Sequence, residues 1–169
     1  MKYSNRFVII TALFVTCLLT ANIIAAKVWG VGSIFLPAAV VVFPFSYIFG
    51  DILTEVYGYQ QARKVIWLGF ICNLIFVIFA WLGQLLPPAP LWTGQNAYVT
   101  ILGYTPRLLA ASFLGYLVGE FSNSFVLAKM KILTKGRWLW SRTISSTIVG
   151  EGLDTGIFII GAYIGAAFF

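Results

Sequence analysis

Residues 7–26 read FVIITALFVTCLLTANIIAA, an apolar run without a charged side chain. The hydrocarbon core of a bilayer is about 30 Å thick, and a helix needs about 20 apolar residues to cross it. The run is too long for the apolar part of a signal peptide, and no small-residue cleavage site separates it from the apolar segments that follow. It therefore predicts a retained transmembrane helix, which sets the fold class of the chain.

Four further apolar segments follow this first span. The second contains Pro37 and Pro44 and reaches membrane length only by continuing through acidic residues, so we expect a kinked or broken helix there. Pro87 ends the third, and the uncharged stretch 91–105, with its Trp and Tyr residues, suits a loop or short helix at the headgroup level. We expect an all-α, polytopic transmembrane helical bundle in a single integral membrane domain, 1–169, with five spans at about 7–26, 34–56, 65–86, 108–128 and 144–169.

The composition identifies lipid as the solvent of this chain. Of its 169 residues, 60% are hydrophobic and 9% are charged, and the mean hydropathy is +0.94; a soluble domain carries about 25% charged residues. The chain has no His, which removes the commonest general base and metal ligand. Cys17 and Cys72 lie inside apolar runs, which favours small buried side chains over a disulfide or a metal pair. These observations weigh against an enzyme, and we expect no metal and no cofactor.

The basic residues follow the expected loops. Loops rich in Lys and Arg stay in the cytoplasm, and the net charge of +6 is concentrated in alternate loops. One side holds Lys2, Arg6, Arg63, Lys64, Lys129, Lys131, Lys135, Arg137 and Arg142, and the other holds Lys27 and Arg107. This alternation predicts a cytoplasmic amino terminus, and it explains the surplus charge without a nucleic-acid partner.

All five acidic residues fall within or at the edge of the expected spans, where a charge at mid-bilayer costs about 2.5 to 3.5 kcal/mol. Residues three or four apart share one face of a helix, and this spacing places the acids on three polar stripes. The stripes are Tyr47, Asp51 and Glu55; Ser112, Tyr116, Glu120 and Asn123; and Thr143, Thr147, Glu151 and Asp154. If these faces converge, the bundle encloses a polar, acidic pocket, to which Asn22 and Asn73 could add amide groups.

Simpler explanations stay open for several of these residues. Asp51 and Glu55 could form interfacial ion pairs near Arg63 and Lys64, and Glu120 could reach towards the headgroups or bond a neighbouring backbone. The Gly-x-x-x-Gly spacings Gly115/Gly119, Gly152/Gly156 and Gly161/Gly165 favour close helix packing over ligand contact. An apolar cavity with acid and amide groups suits a small polar or cationic solute. The residues alone leave channel, carrier and membrane enzyme open.

Three segments resemble the queuosine-precursor transporter family, a vitamin-uptake transporter group of integral membrane proteins with an energy-coupling-factor-like fold. They read FPFSYIFGDILTEVYG at 43–58, GEFSNS at 119–124 and WLWSRTISST at 138–147. Glu151 and Asp154 follow the last of them, and the match includes Asn22 and Lys27. The resemblance therefore runs in order along essentially the whole chain.

This resemblance implies the import of deazaguanine bases, the cyano or aminomethyl precursors of queuosine or queuine itself, across the bacterial inner membrane. The guanine-like edge of such a base carries an N–H beside an exocyclic amine, which a carboxylate accepts together. An amide can meet the ring carbonyl, and an aromatic face can stack on the ring. The expected substrate-binding residues are Asn22, Glu120, Asn123, Glu151 and Asp154, and the residues assigned to the pocket mouth or a gate are Ser46, Asp51, Glu55 and Arg142.

Family members are similar to one another in having six spans, so we expect a sixth helix to be missing here or a second copy to take its place. Besides the bilayer and the deazaguanine substrate, a homodimer partner and a separate energy-coupling ATPase module are the candidate partners. With such a module, the protein would be a substrate-capture subunit. A carrier for another small heterocyclic nutrient is the remaining alternative.

Overall fold

The computed structural model describes residues 4–32, 34–103 and 106–163. Within these ranges the chain forms six α-helices, one short 3₁₀ helix and one hairpin. In chain order they are α1 (Asn5–Ile24), β1 (Val28–Val31), β2 (Ile34–Pro37), the 3₁₀ helix (Ala38–Val41), α2 (Phe43–Tyr57), α3 (Tyr59–Leu85), α4 (Gln95–Leu102), α5 (Pro106–Leu133) and α6 (Leu139–Tyr163). The all-α prediction is confirmed, with the hairpin as a small addition.

In the described ranges, three helices are long and apolar enough to cross a membrane: α1, α3 and α6 as far as Gly161. They correspond to the expected spans 7–26, 65–86 and 144–169, of which 164–169 lie outside the described residues. α5 covers the expected span 108–128 and continues to Leu133. The chain is therefore a multi-pass helical membrane protein.

The second expected span, 34–56, is wrong in its first half. Residues 34–37 form a strand of an antiparallel hairpin in which Trp29 pairs with Leu36, and Gly32 adopts a φ of +62° in the turn. α2 begins only at Phe43 and has Pro44 in its first turn, where the missing N–H costs no helical hydrogen bond. The prolines therefore separate a strand from a helix instead of kinking one long helix. At 15 residues, α2 is about 22 Å long, less than the hydrocarbon core.

The stretch 91–105 contains the short helix α4, one of its two expected forms. The Tyr98 hydroxyl donates a hydrogen bond to the Ala80 carbonyl at 3.0 Å. The Gln95 amide donates to the Gln84 carbonyl at 3.2 Å. Both bonds hold α4 against the end of α3, on the side of the bundle where α3 ends.

The core shared by α1, α2 and α3 is built from Phe14, Leu18, Leu53 and Ile66. Tyr116 of α5 enters this cluster, and its hydroxyl donates to the Ile66 carbonyl at 3.1 Å. Although Tyr116 belongs to a predicted polar stripe, its hydroxyl is thus used by α3. This contact joins α5 to the first three helices.

α5 and α6 form the most extensive contact between helices. A Cβ on Gly119 would lie 2.8 Å from the Cβ of Asp154 and 2.9 Å from the carbonyl oxygen of Gly150. A Cβ on Gly115 would also collide with Asp154. Only glycine permits this backbone approach, so the packing role predicted for Gly115 and Gly119 is confirmed.

The packing role predicted for Gly152 and Gly156 is wrong among the described residues. A Cβ at either position would meet nothing within 4 Å. Gly161 does pack closely, since a Cβ there would lie 2.7 Å from the Cβ of Ala111, while Gly165 lies outside the described residues. α6 therefore packs on α5 through one face and leaves the Gly152 and Gly156 face uncovered by the described chain.

Several helix ends meet at one end of the bundle, which we call the basic end: the starts of α1, α3 and α6 and the ends of α2 and α5. The Phe7 and Tyr57 rings lie 4.9 Å apart between centroids. The Tyr59 and Phe125 rings lie 6.1 Å apart. The loops that carry most of the Lys and Arg residues are therefore on the same side, as the alternation of basic residues predicts.

Candidate functional site

One face of α2 forms the centre of the polar cluster. Four residues are buried there: Ser46, Tyr47, Asp51 and Thr54. All except Tyr47 have small polar or charged side chains. Gly50 lies between them, and a Cβ on it would be 3.3 Å from Oε2 of Glu120. The absence of a side chain at residue 50 therefore lets this carboxylate approach the α2 backbone.

Hydrogen bonds at two levels join α2 to α5. Nδ2 of Asn123 donates to Oδ1 of Asp51 at 2.9 Å, so the structure places Asp51 with a predicted binding residue rather than at the mouth. One turn further along α2, the Thr54 hydroxyl lies 3.1 Å from the Ser124 hydroxyl and 3.0 Å from the Gly50 carbonyl oxygen. Sequence reasoning missed the pairing of Thr54 with Ser124. The one indication in the sequence was that Thr54 lies near Asp51 on α2 and Ser124 beside Asn123 on α5.

Two buried acceptor atoms on α5 have no hydrogen-bond donor among the described residues. They are Oε2 of Glu120, a residue only 3% exposed, and Oδ1 of Asn123, which is 0% exposed. The two residues are three apart and share one face of α5. The bond from Asn123 to Asp51 uses the amide nitrogen and leaves the oxygen unsatisfied. We call these two oxygens the acceptor pair.

The acceptor pair is costly to the chain as it stands. A buried polar atom without a partner costs about 1–3 kcal/mol. Asp51 and Asp154 also interact electrostatically with Glu120, so further acidic groups surround it. The cluster therefore has surplus acceptors and suits a ligand that brings hydrogen-bond donors.

The two predicted acids of α6 differ in their surroundings. Asp154 is half-buried and lies against Gly119 of α5, whereas Glu151 is exposed. The buried side chains of α6 are instead Arg142 and Ser146, on the same face as Gly150. This buried face of α6 is shifted by one residue from the predicted stripe of Thr143, Thr147 and Glu151. The close contact of α5 and α6 through glycine fixes the rotation of α6 about its axis. The structure brings Asp154, and not Glu151, against α5.

Tyr47 lies among these acids, and sequence reasoning did not assign it to the site. The residue is 5% exposed and interacts electrostatically with Glu120, Asp154, Glu151 and Asp51. Its Cε1 atom is 3.4 Å from where a Cβ on Gly150 would be. The available signal was its place four residues before Asp51 on the same stripe. The ring provides a flat apolar surface beside the acceptor pair.

Charged residues of three helices meet at the basic end and form what we call the ion cluster: Glu55, Lys131 and Arg142. Oε1 of Glu55 lies 3.1 Å from Nζ of Lys131 and 3.3 Å from Nη2 of Arg142. Lys131 also donates to the Glu55 carbonyl at 2.7 Å. The ion pairs of Glu55 thus run to α5 and α6 instead of to the nearby Arg63 and Lys64 of α3.

The ion cluster is incompletely satisfied. Arg142 is 1% exposed, and its Nε and Nη1 atoms, like Oε2 of Glu55, have no hydrogen-bond partner in the part of the chain that the structure describes. Its Nη2 also reaches the Gly136 carbonyl at 3.4 Å, in a loop where Lys135 and Trp138 adopt positive φ values. A non-glycine residue with a positive φ costs about 1–2 kcal/mol of backbone strain. Buried charge and backbone strain are therefore concentrated where α2, α5 and α6 meet.

The remaining predicted residues are Asn22 and Ser46. Asn22 donates to Oδ1 of Asn73 at 3.1 Å and to the Leu18 carbonyl at 3.2 Å, so these bonds hold it to α1 and α3. Ser46 is buried near the start of α2, nine residues before Glu55, a separation of about 13 Å along a helix. The residues assigned to a mouth or gate therefore occupy three levels of the bundle rather than one.

The chemistry available to the cluster is hydrogen bonding and charge. Over the described residues, no group of three His, Cys, Asp or Glu side chains is arranged to hold a metal ion. Carboxylate, amide and hydroxyl groups face one another between α2, α5 and α6. Groups of this kind are able to accept hydrogen bonds from the N–H groups of a polar solute.

The chain matches known families and proteins over most of its length. Residues 37–169 match the family model described as "Putative vitamin uptake transporter". The chain is similar to the "Probable queuosine precursor transporter" of Bacillus subtilis (strain 168), with 37% identity over 117 residues, which cover 68% of this chain and 51% of that protein. It is also similar to the "Queuosine precursor transporter" of Escherichia coli (strain K12), with 26% identity over 125 residues, 72% of this chain and 52% of that protein. The chain spans about half the length of these curated relatives, and no solved structure matches it significantly.

Proposed function

Since the chain belongs to the queuosine precursor transporter family, a group of vitamin uptake transporters, we propose that it carries a deazaguanine precursor of queuosine across a membrane. The substrate would be the cyano or aminomethyl base or queuine. The names of both relatives support this class of substrate. The basic end supports a cytoplasmic amino terminus in the bacterial inner membrane, since Lys- and Arg-rich loops stay inside.

The acceptor pair is the observation that carries this proposal. A deazaguanine presents a ring N–H and an exocyclic amine side by side, and these are two donors on one edge. Oε2 of Glu120 and Oδ1 of Asn123 are two buried acceptors on one helix face, both without donors among the described residues. A hydrogen bond to a charged group contributes about 1.5–3 kcal/mol. The substrate would satisfy both atoms at once.

The other predicted residues take supporting roles in this proposal. Asp51 holds the Asn123 amide by its nitrogen and so directs the oxygen of that amide to the ligand. Tyr47 lies beside the pair and would stack on the base, an interaction that contributes about 0.5–1.5 kcal/mol beyond area burial. Asp154 is near enough to meet a further donor, such as the aminomethyl group of one precursor.

We assign the ion cluster to the inner gate. It joins the ends of α2 and α5 to the start of α6, below the acceptor pair, and it closes the bundle at the basic end. Opening exposes Arg142 and Glu55 to water, which solvates the atoms that lack partners in the closed form. The cost of breaking the ion pairs is thereby partly offset, which suits a gate that opens in each transport cycle.

The exposed Glu151 supports a further proposal about assembly. It lies at the middle of α6, a candidate span, where a charge facing lipid costs about 2.5 to 3.5 kcal/mol. We propose that another protein surface covers this side of α6, supplied by a homodimer partner or by an energy-coupling ATPase module. Loss of uptake in a host without coupling proteins would identify the substrate-capture subunit, whereas uptake independent of them favours the carrier.

Uptake in cells tests the transport proposal. Cells that cannot make queuosine precursors would express the protein and receive the precursor externally, and the queuosine content of their tRNA would be measured. We expect a gain that falls at least tenfold in Glu120→Gln and Asn123→Ala. The matched control Asn96→Ala, at an exposed position on α4, should keep the gain. No gain with the unaltered chain, or equal gains in all variants at equal membrane levels, would contradict the proposal.

A further inference from the structure

A groove lies between α1 and α3, outside the polar cluster. Its volume is about 320 Å³, and it opens along one side of the bundle. Apolar side chains from both helices line it, among them Ala12 and Val15 of α1 and Leu68 of α3, together with Cys72 and Thr11. Because α1 and α3 are candidate spans, an open apolar groove between them faces the lipid.

One polar atom in the groove has no partner. The Thr11 hydroxyl oxygen is buried and makes no hydrogen bond in the described part of the chain. A threonine in a helix ordinarily bonds a carbonyl of the preceding turn, so its failure to do so leaves a donor and an acceptor unused. Thr11 lies six residues from the start of α1, about 9 Å along the axis. This depth is close to that of the glycerol esters of a phospholipid whose phosphate lies at the helix start.

A basic side chain stands at the end of the groove. Lys64 is exposed and shares a face of α3 with Leu68 and Cys72, at spacings of four residues. It lies at the basic end, where a phosphate in the headgroup layer would meet it. The groove is thus apolar along its length and positively charged at its mouth.

We infer that this groove is a binding site for an anionic phospholipid. The phosphate pairs with Lys64, the Thr11 hydroxyl donates to an ester carbonyl, and one acyl chain lies over Ala12, Leu68 and Cys72. A zwitterionic lipid could fill the apolar part, but it would gain less from the basic mouth. The site is independent of the proposed substrate site, which lies between α2, α5 and α6.

Native mass spectrometry of the purified protein tests this site, with phosphatidylglycerol and phosphatidylcholine of matched chains added in turn. We expect one phosphatidylglycerol to be retained preferentially. Lys64→Ala should weaken its binding about fivefold, as expected for one cation near a lipid surface. Arg63→Ala is the matched control, because Arg63 is also exposed but lies off the Lys64, Leu68 and Cys72 face. Ala12→Trp should block binding, whereas Leu13→Trp on another face of α1 should not.

Alkylation of Cys72 provides a second readout in a Cys17→Ser background. Bound phosphatidylglycerol should slow the reaction of the Cys72 thiol in the protein with Lys64 intact, and Lys64→Ala should remove this protection. Equal retention of the two lipids, or an equal effect of Arg63→Ala and Lys64→Ala, would overturn the inference. Neither readout depends on transport, so the failure of one proposal is distinguishable from the failure of the other.

Discussion

Neutralising Glu55 should destabilise the protein because it leaves the buried Arg142 without its counter-ion. Arg142 is 1% exposed, and the side chain of Glu55 is 23% exposed. Removing one partner of a buried ion pair costs about 3–5 kcal/mol, and the partial exposure of Glu55 places Glu55→Gln near the lower limit. Lys131 is 44% exposed, so Lys131→Met should cost less than about 1 kcal/mol although it also contacts Glu55.

A double-mutant cycle makes this prediction quantitative. Arg142→Met removes the buried charge together with two unpartnered donor atoms, so its own cost should be small. In the Arg142→Met background, Glu55→Gln should then cost less than about 1 kcal/mol, a coupling of about 2 kcal/mol between the two residues. The free energy of unfolding would be measured by denaturant titration in detergent, with thermal midpoints as a second measure. A cost of Glu55→Gln no larger than that of Lys131→Met, or an equal cost with and without Arg142, would refute the role of Glu55 as the counter-ion of Arg142.

Three further predictions concern the helix contacts and the site. Gly119→Ala should lower the free energy of unfolding by about 1–3 kcal/mol, because the added Cβ would meet the α6 backbone. The control Gly152→Ala, where a Cβ meets nothing within 4 Å, should be neutral or stabilising, and equal effects of the two variants in a thermal unfolding assay would argue against the α5–α6 contact. Thr54→Val should lower the free energy of unfolding by about 1 kcal/mol, and this loss should be smaller in a Ser124→Ala background. Strictly additive losses in a denaturant titration would mean that the two hydroxyls do not interact. Tyr47→Leu should weaken deazaguanine binding, measured by calorimetry, by about threefold to tenfold, while Tyr47→Phe should keep most of the affinity. Equal losses of affinity in the two variants would exclude stacking as the role of the ring.

The sequence was sufficient to place most helices and insufficient for the segment before α2. Long apolar runs predict α1 and α3 well, because a membrane demands continuous helix. Residues 34–42 are apolar as well, and a short apolar run does not distinguish a strand from a helix. From the sequence we expect Pro37 and Pro44 to kink one span, whereas in the structure they lie at the end of a strand and the start of α2.

Within the site, helical spacing identified the right faces of α2 and α5 but not of α6. Spacing placed Asp51 on one stripe and Glu120 and Asn123 on another, and the structure brings these two stripes together, although Asp51 was expected at the pocket mouth. The rotation of α6 could not be read from spacing, because it depends on backbone contact at Gly119 and on where glycine permits it. Helical spacing also could not identify the ion-pair partners of Glu55.

Those partners show how far chain proximity can mislead. Arg63 and Lys64 are near Glu55 along the chain, but α3 turns them outward and they are exposed. Lys131 and Arg142 are far away in sequence and pair with Glu55 only because α5 ends and α6 begins beside the end of α2. Long-range pairs of this kind require the packed helices to be known.

The central claim is that the acceptor pair receives the two donors on one edge of a deazaguanine, and a binding cycle between ligand and protein tests it most directly. Dissociation constants would be measured for a deazaguanine and for its analogue without the exocyclic amine, each with the unaltered protein, Glu120→Gln and Asn123→Ala. Removing the amine should weaken binding about tenfold or more in the unaltered protein, since a hydrogen bond to a charged group contributes about 1.5–3 kcal/mol. The account predicts that this loss disappears in at least one of the two variants. An equal loss from removing the amine in all three proteins would contradict it.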